Sequence, residues 1–332
     1  MNLALLSHLK HHRGEWLDAH SLARSLELSL RLLDRELEGL AEAGYRIERD
    51  PEDGVRLVGI PDGLAAQEIE LDLGTEVIGR RVIVWPTLTS TNDEAWRRIR
   101  ARGRADVDPD GLDGLVIIAE QQTAGRGRLG RSWASPIGGL WMSVIIRTPL
   151  AERRQSMFTV AAAVAVVQAI RDATRLLARI RWPNDVLIDG RKVAGVLAEA
   201  ESGFPDLCVL GIGVNVNVPA ESLPEPVRTQ ATSLSAELGR SVCCIEFARS
   251  LLRHLDTWHA RIHRGDNASL NSAWRELAAS LGQRTVVHAG GKRFEGVVVE
   301  LDLIEGVSLR LDRGQVRTFR SEEVSLVEVL HG

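Results

Sequence analysis

Gly125-Arg126-Gly127-Arg128-Leu129-Gly130-Arg131-Ser132-Trp133 is the stretch on which the choice of fold turns. Its glycines at 125, 127 and 130 spell a literal G-x-G-x-x-G, just after a predicted strand ending near Ala119. In a dinucleotide-binding fold a helix follows that motif, and an acidic residue lies about 20 positions on, at a second strand's end. Here Pro136, Gly138 and Gly139 follow, then another apolar strand, and position 150 is Leu150. The dinucleotide reading fails. What remains is a pliable loop carrying three arginines, each permanently charged and able to grip a phosphate or carboxylate through two parallel hydrogen bonds. Taken alone, the loop reads equally as a solvated basic segment or a weak RNA-contacting patch.

The flanks mix strands and helices. Strands are predicted at Val82–Trp85, Leu115–Ala119, Leu140–Arg147, Val186–Ile188, Val193–Ala200 and Leu207–Val216, and helices at 91–103, 155–177, 245–264 and 269–281. They do not alternate regularly, which argues for an α+β sheet over a doubly wound parallel one. Pro219, Pro224 and Pro226 mark residues 219–230 as a mobile loop. Upstream, residues 3–10, 18–26 and 29–43 carry helical apolar spacing, with Asp18 and Ser29 as N-caps and Gly44 as a stop. Two alternating segments then flank Asp53-Gly54, a favoured hairpin turn. Three helices and a hairpin are the plan of a winged helix-turn-helix, with Ile60-Pro61-Asp62-Gly63 as its linker. Downstream, five short strands with glycine turns between 284 and 329 predict a small barrel.

With 332 residues, the chain exceeds what one core usually serves. Apolar residues at 44% and charged ones at 26% exclude wholesale disorder and collagen-like sequence. The most apolar run, Met157 to Ile170, is shorter than the roughly 20 residues of a membrane span, so a buried helix is expected, and no membrane association. No secretory signal pattern opens the sequence. Cys208, Cys243 and Cys244 lack zinc spacing and read as reduced thiols of a cytoplasmic protein. The net charge of −4 is carried wholly by residues 1–62, where 8 basic residues face 12 acidic ones.

Two further elements bear chemistry. Thr89-Ser90-Thr91-Asn92 opens a helix: Ser90 serves as a cap, or its neighbours' hydroxyls bind a small polar ligand. Arg181-Trp182-Pro183-Asn184-Asp185 enters a strand, and Asp189-Gly190 turns into Arg191-Lys192-Val193-Ala194-Gly195. A strand lysine is usually solvated decoration, but a strand glycine lets a ligand or another backbone approach closely.

Together these stretches, with Gly211-Ile212-Gly213-Val214-Asn215, resemble the biotin protein ligases, in particular the bifunctional class joined to a winged-helix biotin operon repressor. The resemblance covers nearly the whole chain. It implies an α+β multidomain protein: a winged helix-turn-helix over 1–62, a mixed-sheet ligase domain of the class II synthetase and lipoate-ligase type over 68–280, and an SH3-like β-barrel over 282–332. It implies joining of biotin to the α-phosphate of ATP, with magnesium, and transfer of biotin to a lysine of the biotin carboxyl carrier protein of acetyl-CoA carboxylase. By the same resemblance Lys192, Arg126, Arg128 and Asp185 are catalytic, Lys192 bridging carboxylate and phosphate and Asp185 orienting the nucleotide or its magnesium. Ser90, Thr91, Asn92 and Gln122 meet the ureido end of biotin. Gly125 and Gly127 let the loop close, Gly195 admits the fused rings, and Asn215 contacts the nucleotide. No metal is held by a site of the protein's own. A ligand-dependent homodimer is a further implication.

Some positions depart from the family pattern. Arg181 stands where lysine is usual, and Val327 falls where some members have a nucleotide-touching arginine, so no site residue is carried over from the barrel. The recognition-helix segment holds Asp34, Glu36 and Glu38, which face phosphates unfavourably. Operator DNA binding would rest on Arg31 and Arg35, helped by Lys10 and Arg13. Two other classes compete: a ligand-sensing transcription factor without ligase activity, against which Lys192 beside the loop argues, and a lipoate–protein ligase, against which the loop and the barrel argue.

Overall fold

The computed structural model describes residues 2–52, 54–61, 63–102, 111–148 and 151–329. The chain divides into two units, Met1–Asp72 and Leu73–Gly332.

The first unit holds α1 (Leu3–His11), α2 (Ala19–Ser25), α3 (Leu30–Glu42), an antiparallel hairpin of β1 (Arg46–Asp50) and β2 (Gly54–Gly59), and the short α4 (Ala66–Glu70). The expected caps are present: Asp18 accepts from Ser21 N at 2.8 Å and Ser29 from Leu32 N at 3.2 Å. Leu33, Leu37 and Leu40 of α3 are buried in one cluster with Leu5, Leu6 and Leu9 of α1, the apolar stripe that helical spacing requires. Asp53 of the predicted turn and Asp62 of the predicted linker lie outside the described residues. Gly54 has φ +98°, and a Cβ there would stand 2.2 Å from the Leu17 carbonyl oxygen, so only glycine fits. The buried Glu68 carboxylate receives Lys10 Nζ at 2.6 Å and the Tyr45 hydroxyl at 2.8 Å.

The second unit is built on strands β3 (Val82–Leu88), β4 (Val116–Gln122), β5 (Leu140–Arg147), β6 (Ala178–Arg181), β7 (Asp185–Ile188), β8 (Arg191–Ala200) and β9 (Leu207–Val214). They form one seven-stranded sheet in the order β3-β4-β5-β9-β8-β7-β6. Only β3 and β4 run parallel, so the sheet is mixed. After β3, α5 (Thr91–Arg102) buries Ala95, Trp96 and Ile99 against Ile117, Ile145 and Val209. The predicted end of this helix at Gly103 lies outside the described residues. After β5, α6 (Ala151–Thr174) packs on β6 to β9. Its segment Gln155–Thr174 is long and apolar enough to cross a membrane by length and composition, but 72% of its 18-residue apolar window is buried inside the protein. Burial, and not shortness, therefore makes it a core helix. Strand β6 was not foreseen: its alternation Ala178-Arg179-Ile180-Arg181 is real but only four residues long.

Residues 219–230 fold into a 3-10 turn at Ala220–Ser222 and α7 (Val227–Gln230). Arg228 holds this segment by donating to the carbonyls of Ala220, Glu221 and Leu223. Then follow α8 (Leu234–Leu238), α9 (Cys244–His263), packed on α6, and α10 (Asn267–Leu277). Asp256 of α9 accepts the backbone N–H groups of Glu76, Val77 and Ile78 at 2.8–2.9 Å. The last strands, β10 (Arg284–Ala289), β11 (Lys292–Asp302), β12 (Gly306–Leu311), β13 (Val316–Phe319) and β14 (Val324–Val329), form an antiparallel sheet in the order β13-β12-β11-β10-β14. Its two edge strands do not pair with each other among the described residues, so the expected barrel is a curled, open half-barrel. The cysteines are unpaired, and burial pushes the Cys208 and Cys244 thiols up to about 12.

Candidate functional site

Strand register builds the floor of the site. Gly195 pairs with Gly213, Leu197 with Gly211, Glu199 with Val209, and Gly211 with Ser143 of β5. Directly opposed residues share a face and alternate residues along a strand do too. Gly195, Leu197 and Glu199 therefore stand in one row beside Gly213, Gly211 and Val209. Two rows poor in side chains leave a trough, and a cavity of about 150 Å³ lies over it.

One end of the trough is a hydrogen-bond network at the start of α5. Gln122 Oε1 accepts from the Thr91 N–H at 2.7 Å and hydroxyl at 3.1 Å, while Gln122 Nε2 donates to Ser135 at 2.8 Å. Ser143 Oγ lies 2.7 Å from Thr91 Oγ1 and 2.6 Å from Asn92 Oδ1. Asn92 Nδ2 donates to Glu199 Oε2 at 2.8 Å. Arg126 joins here: Nε and Nη2 meet the two Glu199 oxygens at 3.0 Å each, and Nη1 meets Asp93 at 2.5 Å. The hydrogen bonds that Arg126 donates to Glu199, then the one to Asp93, hold its pKa above the usual value against the opposing effect of burial.

The other end is cationic. Lys192 Nζ lies 2.5 Å from Asp185 Oδ1 and 4.8 Å from the centre of the Trp133 ring, a cation–π contact. Arg181 donates to the remaining Asp185 oxygen at 2.8 Å. Burial pushes the Asp185 carboxyl up, but the charges of Lys192 and Arg181 outweigh it and hold the group below its ordinary range. Arg128 is bound by the backbone carbonyls of Ser321 and Val324, and Arg131 by that of Ser325 at 2.8 Å. These bonds run to neutral carbonyls and not to carboxylates. Burial pushes the Arg128 pKa down, with the Asp185 and Glu322 charges opposing.

The glycine–arginine loop is a tight hairpin. Trp133 N donates to Gly125 O at 2.8 Å and Gly127 N to Arg131 O at 2.7 Å, around a 3-10 turn at Arg128–Gly130. A Cβ on Gly125 would meet Ser135 Oγ and Trp133 O at 2.6 Å, so the hairpin's root admits only glycine. Trp133 itself covers the trough. A Cβ on Gly195 would meet its ring at 3.0 Å, and one on Gly213 its Nε1 at 2.7 Å. The glycine expected to admit a ligand thus has the loop's own indole against it.

Ser90, Thr91, Asn92, Gln122, Arg126, Gly127, Arg128, Asp185, Lys192 and Gly195 all line the cavity. Gly125 and Asn215 do not. Gly125 shapes the loop, while Asn215 is buried and donates to the Thr232 carbonyl at 2.9 Å, bracing the segment that follows α7. Arg126 and Lys192 share the cavity but from opposite ends. Lys192 Cε reaches the Gly195 position, and Glu199 lies four residues further along β8, about 13 Å at strand spacing. Ser325 and Val327 of β14 also line it, although no barrel residue was expected there. Trp133, which lines the cavity, was missed too, as was Glu199, which is not in its lining but holds Arg126 and Asn92. Period-two counting from Gly195 through Leu197 would have put Glu199 on the ligand face, and the indole's place right after the arginines was the cue for Trp133.

A model of the biotin/lipoate A/B protein ligase family matches residues 110–216. The bifunctional ligase/repressor BirA of Bacillus subtilis is 30% identical over 316 residues, 94% of this chain and 94% of that protein. The biotin–[acetyl-CoA-carboxylase] ligase of Mycobacterium tuberculosis is 35% identical over 275 residues, 79% of this chain and 95% of that protein. Among solved structures, the biotin protein ligase from Aquifex aeolicus in complex with biotin and ATP matches with a TM-score of 0.62 at 24% identity, covering 76% of this chain and all of that one, a likeness of fold. With two relatives at or above 30% identity matched over nearly their whole length, the chain belongs to the biotin protein ligase family.

Proposed function

We propose that this chain activates biotin with ATP and transfers it to a lysine of a biotin carboxyl carrier protein of acetyl-CoA carboxylase. The observation that carries this reading is the glycine-floored trough with hydroxyl and amide hydrogen-bonding groups at one end and a cluster of cations, Lys192, Arg128 and Arg131, at the other. A ureido ring system needs donors and acceptors, and an acid being joined to a phosphate needs positive charge.

In the first step a biotin carboxylate oxygen bonds to the α-phosphorus of ATP and the bond to the leaving pyrophosphate breaks. Lys192 and Arg128 neutralise the charge that gathers there, and Asp185 with Arg181 holds Lys192 in place. In the second step the acceptor lysine's amine attacks the acyl carbon, an amide forms, and AMP leaves with loss of one proton. Closure of the hairpin over the intermediate excludes water from a reactive anhydride. The residues present do not fit a magnesium site of the protein's own: both Asp185 oxygens are committed, and no cluster of three metal-binding side chains exists among the described residues. No step here runs through a metal.

The domains of this reading are a winged helix-turn-helix over 1–62, the ligase domain over 68–280 and the open, SH3-like half-barrel over 282–332, working in the cytoplasm as a ligand-dependent homodimer. A second role as a biotin operon repressor is supported by the plan of three helices and a hairpin, and by Arg31 and Arg35 exposed on α3. ATP–pyrophosphate exchange that depends on biotin tests the ligase. Exchange with lipoate alone would overturn the substrate, and the absence of a salt-sensitive gel shift on operator DNA at micromolar protein would end the repressor role.

A further inference from the structure

We infer that Glu199 is a positioning residue of the ligase reaction: through Arg126 and Asn92 it fixes the end of the trough that receives the substrate's ring system, and Arg126 is a buttress of that end, not an anion-binding group. The inference rests on the ligase reading above and goes beyond it in assigning these two residues.

Three observations carry it. The first is charge. Arg126 faces two carboxylates, Glu199 through a fork of two 3.0 Å bonds and Asp93 at 2.5 Å. Arg128 and Arg131 hydrogen-bond to backbone carbonyls, with the Asp185 and Glu322 charges near Arg128. An anion entering the site meets two cations bonded to neutral carbonyls and one already bonded to two carboxylates, where both partners are ionised and the bonds are harder to give up. The second is connectivity. Glu199 Oε2 accepts from Arg126 Nη2 and from Asn92 Nδ2 at 2.8 Å, so a single atom ties the loop's root to the first turn of α5. With Ser143 on its oxygen, the Asn92 amide is committed at both ends, and the same Ser143 hydroxyl lies 2.7 Å from the Thr91 hydroxyl. The third is place. Glu199 closes the row Gly195, Leu197, Glu199 at the end opposite Lys192, about 13 Å from Gly195 along β8. A carboxylate there would repel an acid or a phosphate, but it suits an uncharged ring whose partners it holds in position.

Steady-state exchange kinetics on the full chain test the assignment. Glu199→Gln keeps the shape and removes the charge. It is expected to raise the KM for biotin roughly tenfold or more, the size of a lost hydrogen bond to a charged group. The KM for ATP and kcat should stay within about twofold. Asp93→Asn, at a half-exposed position where folding is not at stake, should move the biotin KM the same way by a smaller factor. Arg126→Gln should move the biotin KM the same way, and the double variant should fall short of the product of the two single effects, since the Arg126–Glu199 contact is common to both. A raised ATP KM or reduced kcat in Arg126→Gln with unchanged biotin KM would make Arg126 an anion binder and overturn the inference, as would an unchanged biotin KM in Glu199→Gln. Absence of biotin-dependent exchange in the unsubstituted chain would instead overturn the ligase reading, and the inference with it.

Discussion

Gly211 offers the sharpest test of how the ring end of the trough is shaped. A methyl group there, as in Gly211→Ala, would stand 2.4 Å from Asn92 Oδ1 and 3.1 Å from Asn92 Cγ and Nδ2. Such an approach is cheap only against a side chain free to swing away. Asn92 is not free: it is 4% exposed, with Ser143 at 2.6 Å on one side of the amide and Glu199 at 2.8 Å on the other. Moving it sacrifices one bond between neutral groups, worth about 1 kcal/mol, and one to a carboxylate, worth about 1.5–3 kcal/mol. If the loss of about 3 kcal/mol falls on the site, biotin affinity drops roughly 100-fold. Calorimetric titration of biotin into the variant measures it directly. Gly203→Ala is the control, because a Cβ there meets nothing within 4 Å. Biotin binding to Gly211→Ala within about twofold of the unsubstituted chain would refute the view that the Asn92 network shapes this end.

Four more outcomes are expected. Lys192→Met should lower the exchange rate roughly 10²- to 10³-fold while biotin still binds, a split readable by comparing kcat with the titrated affinity. Arg128→Gly removes the bonds that hold the hairpin to Ser321 and Val324; it should release free biotinyl-adenylate and label bystander proteins, and retention of a bound intermediate would count against the lid. Asp256→Ala strands three backbone donors of residues 76–78; at about 3 kcal/mol in a unit of this size, calorimetry should find the melting point lower by about 10 °C. The fourth concerns acid stability. Burial, and then the charge of the neighbouring His263, push the His259 pKa below the ordinary histidine value of 6.5, so the unfolded chain takes up the proton more readily than the folded one. The contribution of His259 is therefore complete above about 6.5 and is lost as pH falls below it. His259→Gln should flatten the fall in melting temperature over that window, and an unchanged slope would refute the assignment.

Where sequence and structure agree, the reason is local. Helix caps at Asp18 and Ser29 and the glycine-bearing hairpin turns are written in neighbouring residues, and the long strand Leu140–Arg147 is legible from its apolar run alone. What was not legible depends on partners far along the chain. Strand β6 is too short to announce itself and is pinned by its pairing with β7. The prolines of 219–230 read as a loop because nothing local shows that Arg228 folds back onto three carbonyls. The site shows the same division. Family motifs brought ten expected residues to one cavity, yet they could not say that Arg126 and Lys192 stand at opposite ends, because that follows from the register of β8 against β9. Nor did they show that β14 supplies lining residues from more than a hundred positions away.

The bonds from α9 to the opening of the second unit bear on how small a working enzyme can be made. Arg253 also donates to the Leu73 carbonyl at 2.9 Å, so residues 73–78 are anchored to a helix nearly 180 positions later. A cut between Asp72 and Leu73 leaves every one of these anchors in the fragment that keeps the trough. A cut a few residues further in severs them and leaves a buried carboxylate with nothing to hold, so the margin for trimming is only a handful of residues wide.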